Sequence, residues 1–311
     1  MAPSDNTCQF RGNHVGIGAS PVSSGVRTGI FRFACRGESK DHMVPPSSPS
    51  PPRFATAPPI VALRGVTKTF SSGTQALGGL DLDVRPGEFL SLLGPSGCGK
   101  STALRLIAGL AEPSGGTIAW SAADAGPPAR RDIGFVFQEP TLMPWATVAG
   151  NVALPLRLRG TPASDVEPRV GAALERVGLA SFRNSYPREL SGGMKMRVSI
   201  ARALVTDAGL LLMDEPFAAL DEITRFKLND DLIALSGALA KTVVFVTHSV
   251  FESVYLSRRI VVMTPRPGRV FAELAIDAPY PRGESFRTSA EYAGYCRIAS
   301  QALTRAMAAA A

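Results

Sequence analysis

The stretch Gly94-Pro95-Ser96-Gly97-Cys98-Gly99-Lys100-Ser101-Thr102 constrains this chain more than any other. An apolar run, Phe89-Leu90-Ser91-Leu92-Leu93, precedes it, and a helical pattern with Leu104, Ile107 and Leu110 on one face follows. Strand, glycine-rich turn and helix, in that order, form the setting in which the pattern G-x-x-x-x-G-K-[ST] carries meaning. Glycine lets the backbone curl until successive N–H groups point inward at phosphate oxygens. The helix N-terminus adds the positive end of its dipole. Lys100 brings a full charge to the β- and γ-phosphates, and the Ser101 hydroxyl can ligate Mg²⁺. A chance glycine-rich turn with an incidental lysine would not need the flanking strand and helix. The residues point to a nucleoside triphosphate site. Cys98 sits where a small side chain is all the loop asks, and it reads as structural.

Four apolar runs each end on a residue capable of chemistry. Phe89–Leu93 ends at the phosphate loop, and Ile133-Gly134-Phe135-Val136-Phe137 ends at Gln138. Leu210-Leu211-Leu212-Met213 ends at Asp214-Glu215, and Val243-Val244-Phe245-Val246-Thr247 ends at His248. Continuous runs of this kind are what parallel strands buried on both faces look like. In open α/β sheets the ligand lies beyond the carboxyl ends of the strands. One sheet would therefore deliver Lys100, Gln138, Asp214, Glu215 and His248 to a single nucleotide. Ile60–Leu63 and Leu80–Val84 read as further strands, the second alternating with period two.

The rest of the chain divides by composition. Residues 1–57 read as a disordered Pro/Ser/Gly-rich tail, with seven prolines between Pro45 and Pro59 and no lasting apolar periodicity. Met43 stands just before that proline-rich stretch as a second candidate start. A nucleotide-binding domain is expected over 58–280, with an all-helical insertion at about 139–205. There Pro140, Pro144, Pro155 and Pro162 are expected to break the segment, and Val170, Leu174 and Val177 mark a helix. A C-terminal helical extension is expected over 281–311, with its final helix at Tyr292–Met307.

No apolar stretch approaches the roughly 18–20 residues that span a bilayer, and Met1–Ser20 lacks the apolar core of a signal peptide. The chain is thus expected inside the cell. Its four cysteines, Cys8, Cys35, Cys98 and Cys296, form no C-x-x-C pair and suggest neither zinc nor a disulfide framework. The net charge of +7 invites a nucleic-acid reading, but the charge is spread without a dense basic run. A mildly basic face near anionic lipid or a membrane protein fits better.

A second glycine motif, Leu190-Ser191-Gly192-Gly193-Met194, opens another helical pattern (Val198, Ala201, Val205). Ser191 is placed to cap that helix, and the glycines expose backbone donors, which makes a second anion-ready site. Ser-Gly-Gly alone is a common linker. Its place some twenty residues before Leu212-Met213-Asp214-Glu215-Pro216 is not. With the phosphate loop, Gln138, Ala219-Leu220-Asp221 and His248 in order, residues 60–275 resemble the nucleotide-binding subunit of an ATP-binding cassette (ABC) transporter.

That resemblance implies an α/β P-loop NTPase (RecA-like) core with an antiparallel β subdomain and an α-helical insertion subdomain. It implies ATP and Mg²⁺ as cofactors, with ATP hydrolysis coupled to transport. Phe70 would stack on adenine; the family often has Tyr there. Asp214 would hold Mg²⁺ through water, with Ser101 and Gln138, and Gln138 would also act in catalysis by joining Mg²⁺ and water to the permease contact. Glu215 would polarise the attacking water, and His248 would bond the γ-phosphate. Gly94 to Thr102 would bind ATP in one copy and Ser191, Gly192 and Gly193 in the other, as a head-to-tail homodimer. Met194 departs from the family, which usually has Gln or another polar residue there.

Further implied partners are transmembrane permease subunits and, indirectly, a solute-binding protein outside the membrane. Nucleic acid is not among them. The place implied is the cytoplasmic face of the cell membrane, held peripherally. Gln138–Trp145 and Thr264-Pro265-Arg266-Pro267-Gly268-Arg269 resemble the nitrate/sulfonate/taurine importers, whose relatives also move pyrimidine precursors. Trp145 reads either as a permease-facing residue or as a buried packing tryptophan. Two rival classes remain: a soluble cassette ATPase acting on nucleic acid or ribosomes, and a pseudo-enzyme that binds ATP as an assembly signal. The first usually carries two cassettes or a long coiled coil, both missing here. Against the second stand Glu215 and His248.

Overall fold

The computed structural model describes residues 58–121 and 133–309. The expected tail over 1–57 and the second candidate start at Met43 lie outside the described residues. In chain order the elements are β1 (Val61–Thr69), β2 (Gln75–Val84), β3 (Phe89–Leu93), α1 (Lys100–Ile107), β4 (Gly115–Trp120) and β5 (Ile133–Val136). Then come α2 (Val148–Leu158), α3 (Ala163–Arg176), α4 (Gly192–Leu204), β6 (Leu210–Asp214), α5 (Glu222–Ala238) and β7 (Thr242–Thr247). The chain ends with α6 (Val250–Leu256), β8 (Arg259–Met263), β9 (Val270–Ala275), α7 (Glu284–Arg287) and α8 (Ala290–Ala308).

Two sheets result. A six-stranded sheet has the order β5-β6-β7-β3-β8-β9. Its first five strands run parallel and β9 turns back antiparallel on β8. A three-stranded antiparallel sheet has the order β2-β1-β4. Every residue of β3, β6 and β7 is buried, as expected of strands covered on both faces.

Alternation along those strands sends side chains into two separate cores. Leu90, Leu92, Leu212, Val244 and Val246 join Leu63, Leu80 and Leu82 of the smaller sheet and Leu104 and Ile107 of α1. Phe89, Leu93, Met213, Val243 and Phe245 point the other way, to the remaining helices. The layering is therefore antiparallel sheet, α1, parallel sheet, helices. Phe245 lies between Phe89 and Phe217, with ring centroids 6.0 and 5.8 Å away. Truncating so buried a ring would cost about 3–5 kcal/mol. The two sheets are also tied electrostatically. Buried Arg259 grips Glu88 with Nε and Nη2, at 3.1 and 2.8 Å, and its Nη2 also donates to the Asp83 carbonyl of β2.

The helical insertion holds α2, α3 and α4, packed through Val148, Val152, Leu156, Val170, Leu174 and Ile200. One expectation fails here. Pro155 does not break the segment but lies inside α2. Its missing N–H falls near the end of the helix, and the buried stripe Val148, Val152 and Leu156 holds the turn in place. Pro168 likewise lies inside α3, whereas Pro162 stands at that helix's N-cap. Side-chain caps start several helices, among them α2, α5 and α8: Thr147 on Gly150 N–H, Asp221 on Thr224 N–H and Ser289 on Tyr292 N–H. Each such cap is worth about 1 kcal/mol.

The C-terminal residues are part of the second core rather than an appendage. Tyr292, Cys296, Ala299 and Ala306 of α8 are buried there. Arg282, almost fully buried, donates from Nη1 to the carbonyls of Val254, Tyr255 and Ser257, each at 2.9 Å. It thus satisfies the open carbonyls at the end of α6.

Candidate active site

The loop from β3 to α1 closes tightly. Gly97 and Gly99 take the left-handed backbone, with φ of 75° and 106°. A Cβ at Gly99 would stand 2.7 Å from the Ala76 carbonyl oxygen, so the loop meets β2 with no room for a larger residue. Lys100 is buried and its Nζ donates to the carbonyls of Gly94 and Pro95 at 2.8 and 3.0 Å. Cys98 is buried against the same lysine, its Sγ 4.0 Å from Nζ. Burial raises the Cys98 thiol above its usual range despite the lysine charge, which keeps it protonated and fits the structural reading.

Ser96, Gly97, Gly99, Lys100, Ser101 and Thr102 line a cavity of about 460 Å³. Phe70, Gln138 and Glu215 line it too. Phe70 follows β1 and is 44% exposed, so its ring face is open to a ligand. The Lys68 ammonium stands 5.7 Å from that ring's centroid.

The carboxylates arrive from the end of β6. Ser101 Oγ donates to Asp214 Oδ1 at 2.7 Å. Burial raises the Asp214 pKa, partly offset by the Ser101 hydrogen bond, and neighbouring Glu215 pushes it up further. A desolvated carboxylate of this kind is short of positive charge. Glu215 follows with φ of 44°, an uncommon backbone for a residue with a side chain. Its N–H still bonds the Val246 carbonyl at 3.0 Å, so the sheet ladder holds the backbone while the side chain turns to the cavity. Glu215 Oε1 lies 3.6 Å from Lys100 Nζ, and Oε2 lies 2.9 Å from His248 Nδ1.

The structure thus joins Lys100, Ser101, Asp214, Glu215 and His248 through direct contacts, with Gln138 on the shared cavity. Ser191, Gly192 and Gly193 are not among that cavity's described lining residues. Ser191 is the N-cap of α4, and its Oγ accepts from Met194 N–H at 3.3 Å. The two glycines that follow differ in their surroundings. Gly192 is exposed but Gly193 is buried, and a Cβ there would stand 2.6 Å from Thr224 Cγ2 of α5.

Trp145 is 77% exposed, which excludes the buried packing role. Two contributors were not singled out from the sequence. Thr247 Oγ1, one residue before His248, donates to buried Glu252 Oε2 at 2.5 Å. Burial raises the pKa of Glu252, and Arg225 Nε stands 3.5 Å from its other oxygen. A glutamate set among Val250, Phe251, Val254 and Leu256 of α6 is the signal that marks it.

The ABC transporter family profile matches residues 77–218. An uncharacterised ABC transporter ATP-binding protein of Methanocaldococcus jannaschii is 46% identical over 236 residues, covering 75% of this chain and 87% of the relative. The aliphatic sulfonates import ATP-binding protein of Bacillus cereus is 42% identical over 228 residues, covering 72% and 89%. A dimeric ATP-binding cassette solved in a post-hydrolysis state with ADP and Pi superposes with a TM-score of 0.62 at 35% identity, covering 70% of this chain and all of that one. With the phosphate loop, the paired carboxylates and the strand-end histidine assembled as above, this chain belongs to the ABC transporter family as an ATP-binding, ATP-hydrolysing cassette.

Proposed function

We propose that this chain powers import of a small solute through a separate membrane permease, working as a head-to-tail homodimer that closes on ATP. One observation carries the reading: the run of contacts Lys100–Glu215–His248 at 3.6 and 2.9 Å, beside the 2.7 Å Ser101–Asp214 pair, at a phosphate-loop cavity. ATP enters with its phosphates on the loop and its adenine against Phe70. Lys100, now held by two backbone carbonyls, turns to the stronger phosphate acceptors. Glu215 accepts the proton of the attacking water, and the contact with His248 Nδ1 leaves Nε2 free to reach the γ-phosphate.

The oxygen donors Ser101, Asp214 and Gln138 suit Mg²⁺, which takes few protein ligands and keeps its waters. The buried, charge-starved Asp214 carboxylate supports that fit. When bound, Mg²⁺ neutralises charge developing on the transferred phosphoryl group. Ser191, Gly192 and Gly193 serve the partner's nucleotide, since they stand apart from this chain's own cavity. The dimeric solved cassette supports that assembly.

No helix among the described residues is long and apolar enough to cross a membrane. On the importer reading, the membrane path belongs to other subunits and this chain sits peripherally on them, at the cytoplasmic face. Exposed Trp145 joins the permease-facing surface, and a solute-binding protein on the far side completes the transporter. Similarity to an aliphatic sulfonates importer's ATP-binding protein supports a nitrate-, sulfonate- or taurine-type solute, with pyrimidine precursors the neighbouring class. The test is Glu215→Gln in the purified full chain. Hydrolysis should fall by about 10²-fold or more, while ATP with Mg²⁺ shifts the variant to a dimer on gel filtration. A variant as active as wild type, or one that stays monomeric where wild type dimerises, would overturn the reading.

A further inference from the structure

The segment Thr264–Arg269, between β8 and β9, folds over the outside of the phosphate loop. Gly268 donates to the Ala76 carbonyl at 2.9 Å and accepts from Gly78 N–H at 3.1 Å, which pins the segment to β2. A Cβ at Gly268 would lie 2.1 Å from the Cys98 carbonyl oxygen, so the two backbones touch. Thr264 Oγ1 braces the turn, donating to Pro267 O at 3.2 Å and accepting from Arg269 N–H at 3.0 Å.

This support aims Arg266. Its Nε and Nη2 both donate to the Gly97 carbonyl, at 3.2 and 3.1 Å, and its side chain lines the same cavity as Lys100 and Phe70. A guanidinium has five N–H donors; the others find no partner among the described residues. Lys100 and Arg266 are the two cationic side chains lining that cavity. Lys100 is committed to two carbonyls and to Glu215; Arg266 still has donors to give.

We propose that Arg266 is a nucleotide-binding residue: it fixes the Gly97 carbonyl away from the cavity and offers its remaining N–H donors to the phosphates of ATP on the same loop. The inference rests on the ATP-binding reading of that cavity. Holding the carbonyl outward leaves the loop's N–H groups turned to the anion. A guanidinium suits the second task because its planar fork matches phosphate oxygens. Arg266 is exposed, so its replacement spares the fold.

The test is calorimetric titration of the full chain with ATP and Mg²⁺ at two salt concentrations, for wild type and for Arg266→Ala, Arg266→Gln and Arg266→Lys. Ala and Gln should each weaken ATP binding about tenfold and flatten its salt dependence, whereas Lys should stay within about threefold of wild type. Gln can still donate to the Gly97 carbonyl but has no charge. Full affinity in the Gln variant would reduce Arg266 to a loop brace and overturn the proposal, as would full affinity in the Ala variant. Wild type that binds no ATP would overturn the ATP reading together with this inference.

Discussion

The two glycine-rich loops of this chain are built alike and equipped differently. Gly94–Thr102 and Ser191–Gly193 each open a helix, and each owes a glycine to a close approach, Gly99 to the Ala76 carbonyl and Gly193 to Thr224. The first is surrounded by side chains that do chemistry: Lys100 and Ser101 from its own helix, Asp214 and Glu215 from β6, and His248 beyond β7. The second has a serine that caps its own helix and little else. One loop is a site and the other is half of one. In the proposed head-to-tail dimer the second loop would complete the partner's site rather than its own.

Lys100→Ala breaks the comparison at its strongest point. Removing a buried cation aimed at developing phosphate charge should lower hydrolysis by about 10²–10³-fold. Steady-state turnover of the purified chain measures this, and turnover near wild type would mean that the two loops are equally bare. Gly193→Ala tests the other loop. Its new Cβ meets Thr224 Cγ2 at 2.6 Å, so about 1–3 kcal/mol of strain is expected. Nucleotide should still bind to the single chain while ATP-driven dimerisation weakens. Denaturant melts and gel filtration read the two effects separately, and lost nucleotide binding would merge the loops into one site.

Asp214→Asn sharpens what sets the first loop apart. Burial raises the pKa of this carboxyl in the folded chain. A raised carboxyl takes up its proton in the folded state first, so its contribution favours folding at low pH and is lost as pH rises through the folded pKa. Removing the charge should therefore raise the melting temperature of the nucleotide-free chain at pH 8, with little change near pH 4, while Mg²⁺-dependent turnover disappears. An unchanged or lower melting temperature at pH 8 would show that the carboxylate is at ease there without a cation. Trp145→Ala should have the smallest effect on the chain itself, within about 0.5 kcal/mol in stability, because the ring is 77% exposed. Basal hydrolysis should hold while uptake in reconstituted vesicles drops. Equal losses in both would place Trp145 in the catalytic machinery.

Much of this was legible in the residues, for reasons the structure makes plain. The strands β3, β6 and β7 are buried on both faces, so they read as unbroken apolar runs, and each delivers its polar residue at the carboxyl end. β4 was not legible, because Gly115 and Gly116 open it and leave only Thr117–Trp120 to carry a strand pattern. Pro155 misled because a proline near a helix end costs less than its reputation when the opposite face is packed. Glu252 and Arg266 escaped for another reason. Their roles come from contacts with Arg225, 27 residues away, and with Gly97, 169 residues away, and only folding brings those partners together.

The helix α6 runs from Ser249, next to His248, to the carbonyls that Arg282 closes. The carboxyl end of the chain is thereby bound up with the placing of His248. In this chain the residues beyond β9 are no accessory module, because removing them would leave the histidine's neighbouring helix without its closing arginine and its aromatic neighbours. A change at Arg282 should then be felt at the end of α6, and a change in α6 at Arg282.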